Sequence, residues 1–444
     1  MSRFRMTASR NILILGASGL IGGFLTDDLR ARGFRVTGIA RRFTSAQKTD
    51  TLDLEQPIMA MDSTALTQLL RGHASDVVVN CLGVLQDGPG SDTAAVHRDF
   101  VQRLLGAIKT SGRTIRLIHM SIPGAAKDDL TAFSTTKREA ERMIAASGIR
   151  HAILRPGFVI APAAFGGSAM VRAFAAMPLA LPEDESTKPF QPVAIEDIAA
   201  TVAWLAARDP DEIETSFVTW DLMQKQQATL GHVIDAFRKS FGTDDWPRIR
   251  LSAFLLTIGV KLADLAGWLG WKSPMRSTAM VELRRGVSGD PSPWISATGI
   301  APVELGDAVR RAATIQDKWF ARLYLIKALV IVNLVVFWCV SGFIALFISY
   351  DAAAGILKSH DFPPPLVGPI TVLTSLMDIT IGVLIAFRRT SAFGLVWGIL
   401  ASLGYMVGAA ILTPDLWIEP LGALVKTGPA IMLMLVALAT LDDR

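Results

Sequence analysis

Asn11-Ile-Leu-Ile-Leu15-Gly16-Ala-Ser-Gly19-Leu-Ile-Gly22 decides how the first half of this chain folds. Asn11 to Leu15 reads as a short aliphatic strand, and residues 23–31 read as a helix. Between them the glycines sit where a chain must turn tightly and let its backbone approach a pyrophosphate. The following helix N-terminus offers unpaired N–H groups and partial positive charge. Strand, glycine turn and helix in that order give the motif its meaning. Upstream, residues 1–10 are basic, so the start has the outline of a signal peptide. Gly16, Gly19, Gly22 and Gly23, the acids Asp27-Asp28 and the lack of a small-residue cleavage site argue against one.

Downstream, Arg35–Ala40 reads as a second strand ending in Ala40-Arg41-Arg42. A carboxylate at this point suits the ribose 2′-hydroxyl of NADH. Arginine suits the 2′-phosphate of NADPH, the cofactor expected here, with NADH as the alternative and a solvated arginine pair as the plain reading. Thr51-Leu-Asp53-Leu54 resembles a third strand whose acid would meet the adenine. Asp76–Val79 makes a fourth, closing on Asn80-Cys81-Leu82-Gly83. Strands alternating with helices imply an α/β fold, a doubly wound parallel Rossmann sheet.

These residues, together with Ile115–His119 and Met120-Ser121-Ile-Pro-Gly124, resemble the short-chain dehydrogenase/reductase family in its extended or atypical branch. So do Phe133-Ser-Thr-Thr-Lys137-Arg-Glu-Ala-Glu141, Leu154-Arg-Pro156-Gly157-Phe158-Val159 and Gln191-Pro-Val193-Ala-Ile-Glu-Asp197-Ile198-Ala199. The resemblance runs from Asn11 to about Leu205. It implies that Ser121 orients a substrate oxygen, that Lys137 holds the nicotinamide ribose, and that Pro156 and Gly157 lie beside the nicotinamide. The expected cofactor contacts are Gly16, Ser18, Gly19, Leu20, Ile21, Gly22, Arg41, Arg42, Asp53, Leu54, Cys81, Leu82, Gly83, Lys137, Pro156 and Gly157.

One part of the pattern is missing. The family's proton donor is a tyrosine four residues before the lysine, and here that position is Phe133. Phenylalanine can neither give a proton nor form a phenolate. The three tyrosines, Tyr324, Tyr350 and Tyr405, all lie at or beyond the first apolar span. Three readings follow. The domain could pass hydride to an acceptor such as a quinone, which takes protons from water, Ser121 or His119. It could bind NADPH without turnover, as a sensor or structural subunit. It could be a sugar-nucleotide epimerase or dehydratase, although that chemistry leans on the same tyrosine.

The chain has 444 residues, 51% of them hydrophobic and only 19% charged, and the apolar excess lies after Tyr324. Four segments are long enough to cross a bilayer: Leu323–Ser349, Leu366–Phe387, Ser391–Leu412 and Leu421–Leu441. Span number, loop style and the position of Asp378 resemble the DoxX-like membrane family, expected as an all-α transmembrane four-helix bundle. Lys318, Arg322, Lys327 and Arg388-Arg389 would lie inside, which places both termini in the cytoplasm and the protein in a bacterial inner membrane as a multi-pass chain. Asp378, in mid-span, calls for a partner, with Asn333, Ser341 or Thr374 as candidates, or for a proton or quinone-headgroup role.

The expected boundaries are residues 1–245 for the nucleotide domain, 246–320 for a small substrate or juxtamembrane subdomain, and 321–444 for the membrane domain. Within the second, Leu251–Trp271 is apolar apart from Thr257, Lys261 and Asp264. That suits a helix in the interface plane, a lid over an apolar ligand, or a buried core helix. Pro247 to Arg322 carries eleven Lys/Arg against six Asp/Glu, a surplus an anionic lipid surface would attract. Glu183-Asp-Glu185 reads as an exposed turn, and the tryptophans of residues 165–320 as core, interface or ligand surface. Two cysteines and six scattered histidines predict no metal, and a net charge of +4 gives no reason to expect nucleic acid. A lipophilic small molecule and the membrane are the expected partners, with self-association through the membrane domain left open.

Overall fold

The computed structural model describes residues 10–44, 47, 52–88, 91–209, 213–273, 275–418, 422 and 424–441. It forms two compact units, one of residues up to 264 with 273–321, the other of 265–272 with the residues from 322 onward. In the first unit, strands β1 (Asn11–Leu15), β2 (Arg35–Ala40), β3 (Leu54–Glu55), β4 (Val77–Asn80), β5 (Arg116–Met120) and β6 (His151–Pro156) join Phe217–Leu222 in one sheet. From one edge to the other the order is Phe217–Leu222, β6, β5, β4, β1, β2, β3. Every pairing is parallel. Parallel neighbours need crossovers, supplied by helices α1 (Leu20–Ala31), α2 (Ser63–Gly72), α3 (Phe100–Ser111) and α4 (Ala132–Ala146). The order reverses between β1 and β4, so the ligand crevice belongs beyond the carboxyl ends of those strands.

Both faces of the sheet are covered. Ile12, Ile14, Val77, Val79, Ile118 and Met120 enter one core cluster. Their alternates Leu13, Leu15, Val78 and Leu117 enter another, with α2 and α3. This is why the strands read as unbroken aliphatic runs rather than alternating ones.

The expected element ends shift slightly. α1 starts at Leu20, not residue 23, because Gly19 is its extended N-cap. β4 starts at Val77, since the Asp76 carboxylate accepts the Asn11 N–H at 2.9 Å. β5 runs one residue later than expected. The third strand is only Leu54–Glu55, with Asp53 before it and Thr51 outside the described residues.

The rest of this unit has its own core, including Val171, Phe174, Val233, Phe237 and Val309. There Arg172, fully buried, donates to Asp317 at 2.8 Å and lies over the Phe237 ring. Glu185 is not in an exposed turn as expected: it is buried and paired with Arg284. Trp294 and Trp220 are core, and the Trp294 indole donates to Thr201. The helix Ala253–Trp268 replaces the expected 251–271. Its Phe254, Leu255, Ile258 and Leu262 are exposed, while Asp264 is turned to the Ser277 amide and hydroxyl.

Among the described residues three helices are long and apolar enough to cross a membrane, Ile315–Ile348, Pro364–Ala386 and Ser391–Leu412, and from residue 322 onward they belong to the second unit. The fourth expected span, Leu421–Leu441, holds a shorter apolar helix among its described residues. Thr427–Ala439 has 13 residues, about 20 Å of helix against a hydrocarbon core of about 30 Å. Residues 419–421, 423 and 442–444 lie outside the described residues. Small residues set the packing. A side chain at Gly342 would run into the Ser375 carbonyl, and one at Gly382 into Cys339. Leu329, Leu373 and Ile411 point outward, the arrangement expected of lipid-facing positions.

Candidate functional site

The glycine turn fits a pyrophosphate. Gly16 has φ +84°, a left-handed value that disfavours a side chain, and its N–H reaches the Ile39 carbonyl at 2.9 Å. A Cβ on Gly22 would strike the Gly16 carbonyl, so α1 packs on the turn at a distance only glycine permits. Gly19 caps α1 without any side-chain acceptor. Leu20 and Ile21 therefore open a helix whose first amides are available to an anion. Gln47 folds back to donate to the Ser18 carbonyl.

At the end of β2, Arg41 and Arg42 are exposed, and neither forms an ion pair among the described residues. Asp53, the acid expected to meet the adenine, has an ion-pair partner within the fold. Arg30 donates to both of its oxygens, at 2.8 and 3.2 Å, and Asp53 itself is buried. It lies over Gly38, where a Cβ would come within 2.6 Å of its carboxylate. Leu54 packs with the core cluster beneath.

The ends of β4 and β5 meet α4 at Lys137. A Thr131–Ser134 capping box starts this helix and sets its register. Lys137 is buried, and its ammonium donates to the Met120 carbonyl at 2.8 Å and the Leu82 carbonyl at 3.3 Å. Burial pushes its pKa down to about 8. A Cβ at Gly83 would lie in ordinary contact with the Lys137 Nζ and the His97 ring. The Cys81 thiol beside them is pushed up to about 12 by burial, so it is a neutral neighbour.

His97 comes from a π-helical turn, Ala95–Asp99. Its Nε2 accepts the Val84 N–H at 3.2 Å, so its proton sits on Nδ1, 2.9 Å from Thr136 Oγ1. Burial, with Lys137 nearby, lowers its pKa to about 3. It is a fixed neutral ring against the edge of Phe133.

Ser121 lies in line with β5, its N–H bonded to the Leu154 carbonyl. Its hydroxyl has no partner within hydrogen-bond distance among the described residues, yet it lies near enough to Glu141 to favour the charged carboxylate. Glu141 stands eight residues beyond Phe133 on α4, about 12 Å along the axis. Ser121 and position 133 are thus at different levels of the helix. Around Glu141, Arg138 and Arg155 form a buried ion network. Arg285 joins the chain to Asp129 and the Pro123 carbonyl. Gly157, beyond Pro156 of β6, is glycine for a packing reason: a Cβ would strike the Gln191 carbonyl.

Residues 12–213 match the model of the NAD dependent epimerase/dehydratase family, and residues 335–435 that of the DoxX-like family. Two family models thus account for separate stretches of the chain, one with a short-chain-dehydrogenase-like Rossmann fold and one DoxX-like. A 3-diazoavenalumate denitrifying reductase from a Streptomyces species is 28% identical over 188 residues, 36% of this chain and 60% of that one. The chain thus spans about three fifths of that relative's length. Among solved structures, UDP-glucose 4-epimerase from Thermotoga maritima with UDP-glucose superposes with a TM-score of 0.52 and 15% identity, covering 71% of this chain and 99% of that one. The Bordetella bronchiseptica enzyme WbmG in complex with NAD and UDP gives 0.53 and 14%, over 71% and 96%. These likenesses establish the fold.

Within the Rossmann domain the structure brings together the glycine turn, Cys81, Leu82, Gly83 and Lys137. Reading the chain left His97, Asn80 and Thr136 unassigned. They lie in three separate stretches, and no spacing rule links residues that meet only through the sheet. In the DoxX-like domain, Asp378 has a partner other than those expected: the Tyr405 hydroxyl donates to it at 2.8 Å.

Proposed function

We propose that the Rossmann domain binds NADPH and serves an oxidoreductase acting on a lipophilic acceptor such as a quinone or lipid. The carrying observation is Lys137, fixed at the strand ends with one N–H left for a ribose. The glycine turn and the uncapped α1 N-terminus would hold the pyrophosphate, and the unpaired Arg41 and Arg42 the 2′-phosphate. Bound dinucleotide would supply hydride. The chain's own groups position it and exclude water. The similarity to a reductase favours reduction over epimerisation.

The DoxX-like domain and the three apolar helices associate the protein with a membrane. We place Lys318, Arg322, Lys327 and Arg388-Arg389 on the cytoplasmic side of a bacterial inner membrane. The exposed Phe254, Leu255, Ile258 and Leu262 suit an entrance for long-tailed acceptors. A second reading, NADPH binding without turnover, is favoured by one observation: a ring without a hydroxyl stands at position 133.

The test is the full chain in detergent, loaded with NADPH and given a short-chain quinone. Oxidation above the quinone background supports the oxidoreductase. Retained nucleotide with no oxidation supports the second reading.

A further inference from the structure

One buried polar group in the site has a nitrogen that nothing in the described fold engages. His119 is 1% exposed, and its Nε2 has no hydrogen-bond partner among the described residues. Its protonation is fixed by a chain of contacts. Asn80 Oδ1 accepts the Leu82 N–H at 3.2 Å, which sets the orientation of the amide. The Asn80 amide nitrogen, 3.2 Å from His119 Nδ1, is then the donor, so Nδ1 accepts. Burial, then the nearby Lys137 charge, holds the ring neutral. The single ring proton is on Nε2, a buried donor that is costly to leave unmet.

Lys137 is close enough for its charge to act on the His119 ring. It donates to the carbonyl of Met120, the residue after His119, and to the carbonyl of Leu82, whose N–H Asn80 holds. An ammonium has three N–H groups, so one remains. His97 cannot serve here, since both its nitrogens are satisfied.

We propose that His119 Nε2–H and the remaining Lys137 N–H converge on one uncharged hydroxyl oxygen at the ends of β4 and β5. The Leu82 and Met120 carbonyls beside it favour a group that can also donate, and would repel a carboxylate or phosphate. Two sources share that chemistry: a hydroxyl of the nicotinamide ribose, which rests on the dinucleotide reading above, and a fixed water. His119 is on this view a positioning residue.

The test uses the full chain in detergent with 15N-labelled histidine, the His119 signals being assigned by their loss in His119→Leu. The expected spectrum shows an Nε2–H tautomer whose proton exchanges slowly with solvent. If NADPH moves that resonance and adenosine 2′,5′-bisphosphate does not, the oxygen is the ribose hydroxyl. If neither moves it, the oxygen is water. A proton on Nδ1, or an Nε2–H exchanging freely with and without nucleotide, overturns the proposal. For the ribose source, His119→Leu weakens NADPH at least tenfold, whereas His119→Gln, which keeps a donor, stays within about threefold. Equal affinity of His119→Leu and the parent rules that source out. If the parent binds no NADPH, the dinucleotide reading fails, while tautomer and exchange still decide the donor site.

Discussion

Phe133 stands edge-on to His97, ring centroids 5.6 Å apart and planes at 73°. The imidazole proton faces Thr136, not the phenyl ring, so this pair is a packing contact held by a fixed tautomer. Lys137, one helical turn on, lies on the same face of α4 as position 133.

Phe133→Tyr therefore puts a phenol within reach of a buried ammonium that favours its ionised form. The expected outcome is NADPH-dependent carbonyl reduction raised by roughly 10²-fold or more, the usual scale for a placed general acid. It is measured with a panel of small ketones and aldehydes. An unchanged rate means that the level of Ser121 beside Glu141 leaves no reactive position near residue 133.

Replacing Arg41 and Arg42 with alanine removes two exposed cations that have no ion-pair partner among the described residues. NADPH binding should weaken by roughly 1.5–3 kcal/mol per lost charge-assisted bond, while NADH changes little. Titrating both nucleotides decides it, and equal weakening refutes the 2′-phosphate assignment.

The pH dependence of Lys137 has opposite signs for binding and for folding. Its pKa in the fold is lowered from 10.5 to about 8, so the ammonium is present below about 8 and lost above it. NADPH affinity should fall as pH rises through that value, and Lys137→Met should bind weakly with no such step. Between about 8 and 10.5 the unfolded chain binds the extra proton, so this group's contribution to stability rises with pH. Weaker binding together with steadier folding in that window is the signature to seek in paired titration and denaturation series.

Gly22→Ala drives a methyl into the Gly16 carbonyl, whereas Gly23→Ala meets only the Ala17 carbonyl at 3.2 Å. The first should cost about 1–3 kcal/mol and most of the nucleotide affinity, the second much less. Thermal unfolding with and without NADPH separates the two. Similar losses in both variants mean that the helix start relaxes freely.

Much of this protein could be read along the chain because its signals are local. Strand, glycine turn and helix follow one another within Asn11–Ala31, and each long span is a continuous apolar run. The family match over residues 12–213 and the DoxX-like match over 335–435 agree with those readings. In the last expected span the described helix, Thr427–Ala439, is shorter than the other three, so its apolar composition is plainer in the sequence than its length.

What the sequence by itself determined was the class of each element and the loss of the tyrosine, both properties of residue type and spacing. The tertiary structure alone decided the partners. Asp53 went to Arg30, Asp378 to Tyr405, Glu185 to Arg284, and His119 to Asn80 beside Lys137. A hydrogen bond acts over about 3 Å, and residues tens of positions apart come that close only when a sheet or bundle brings them together.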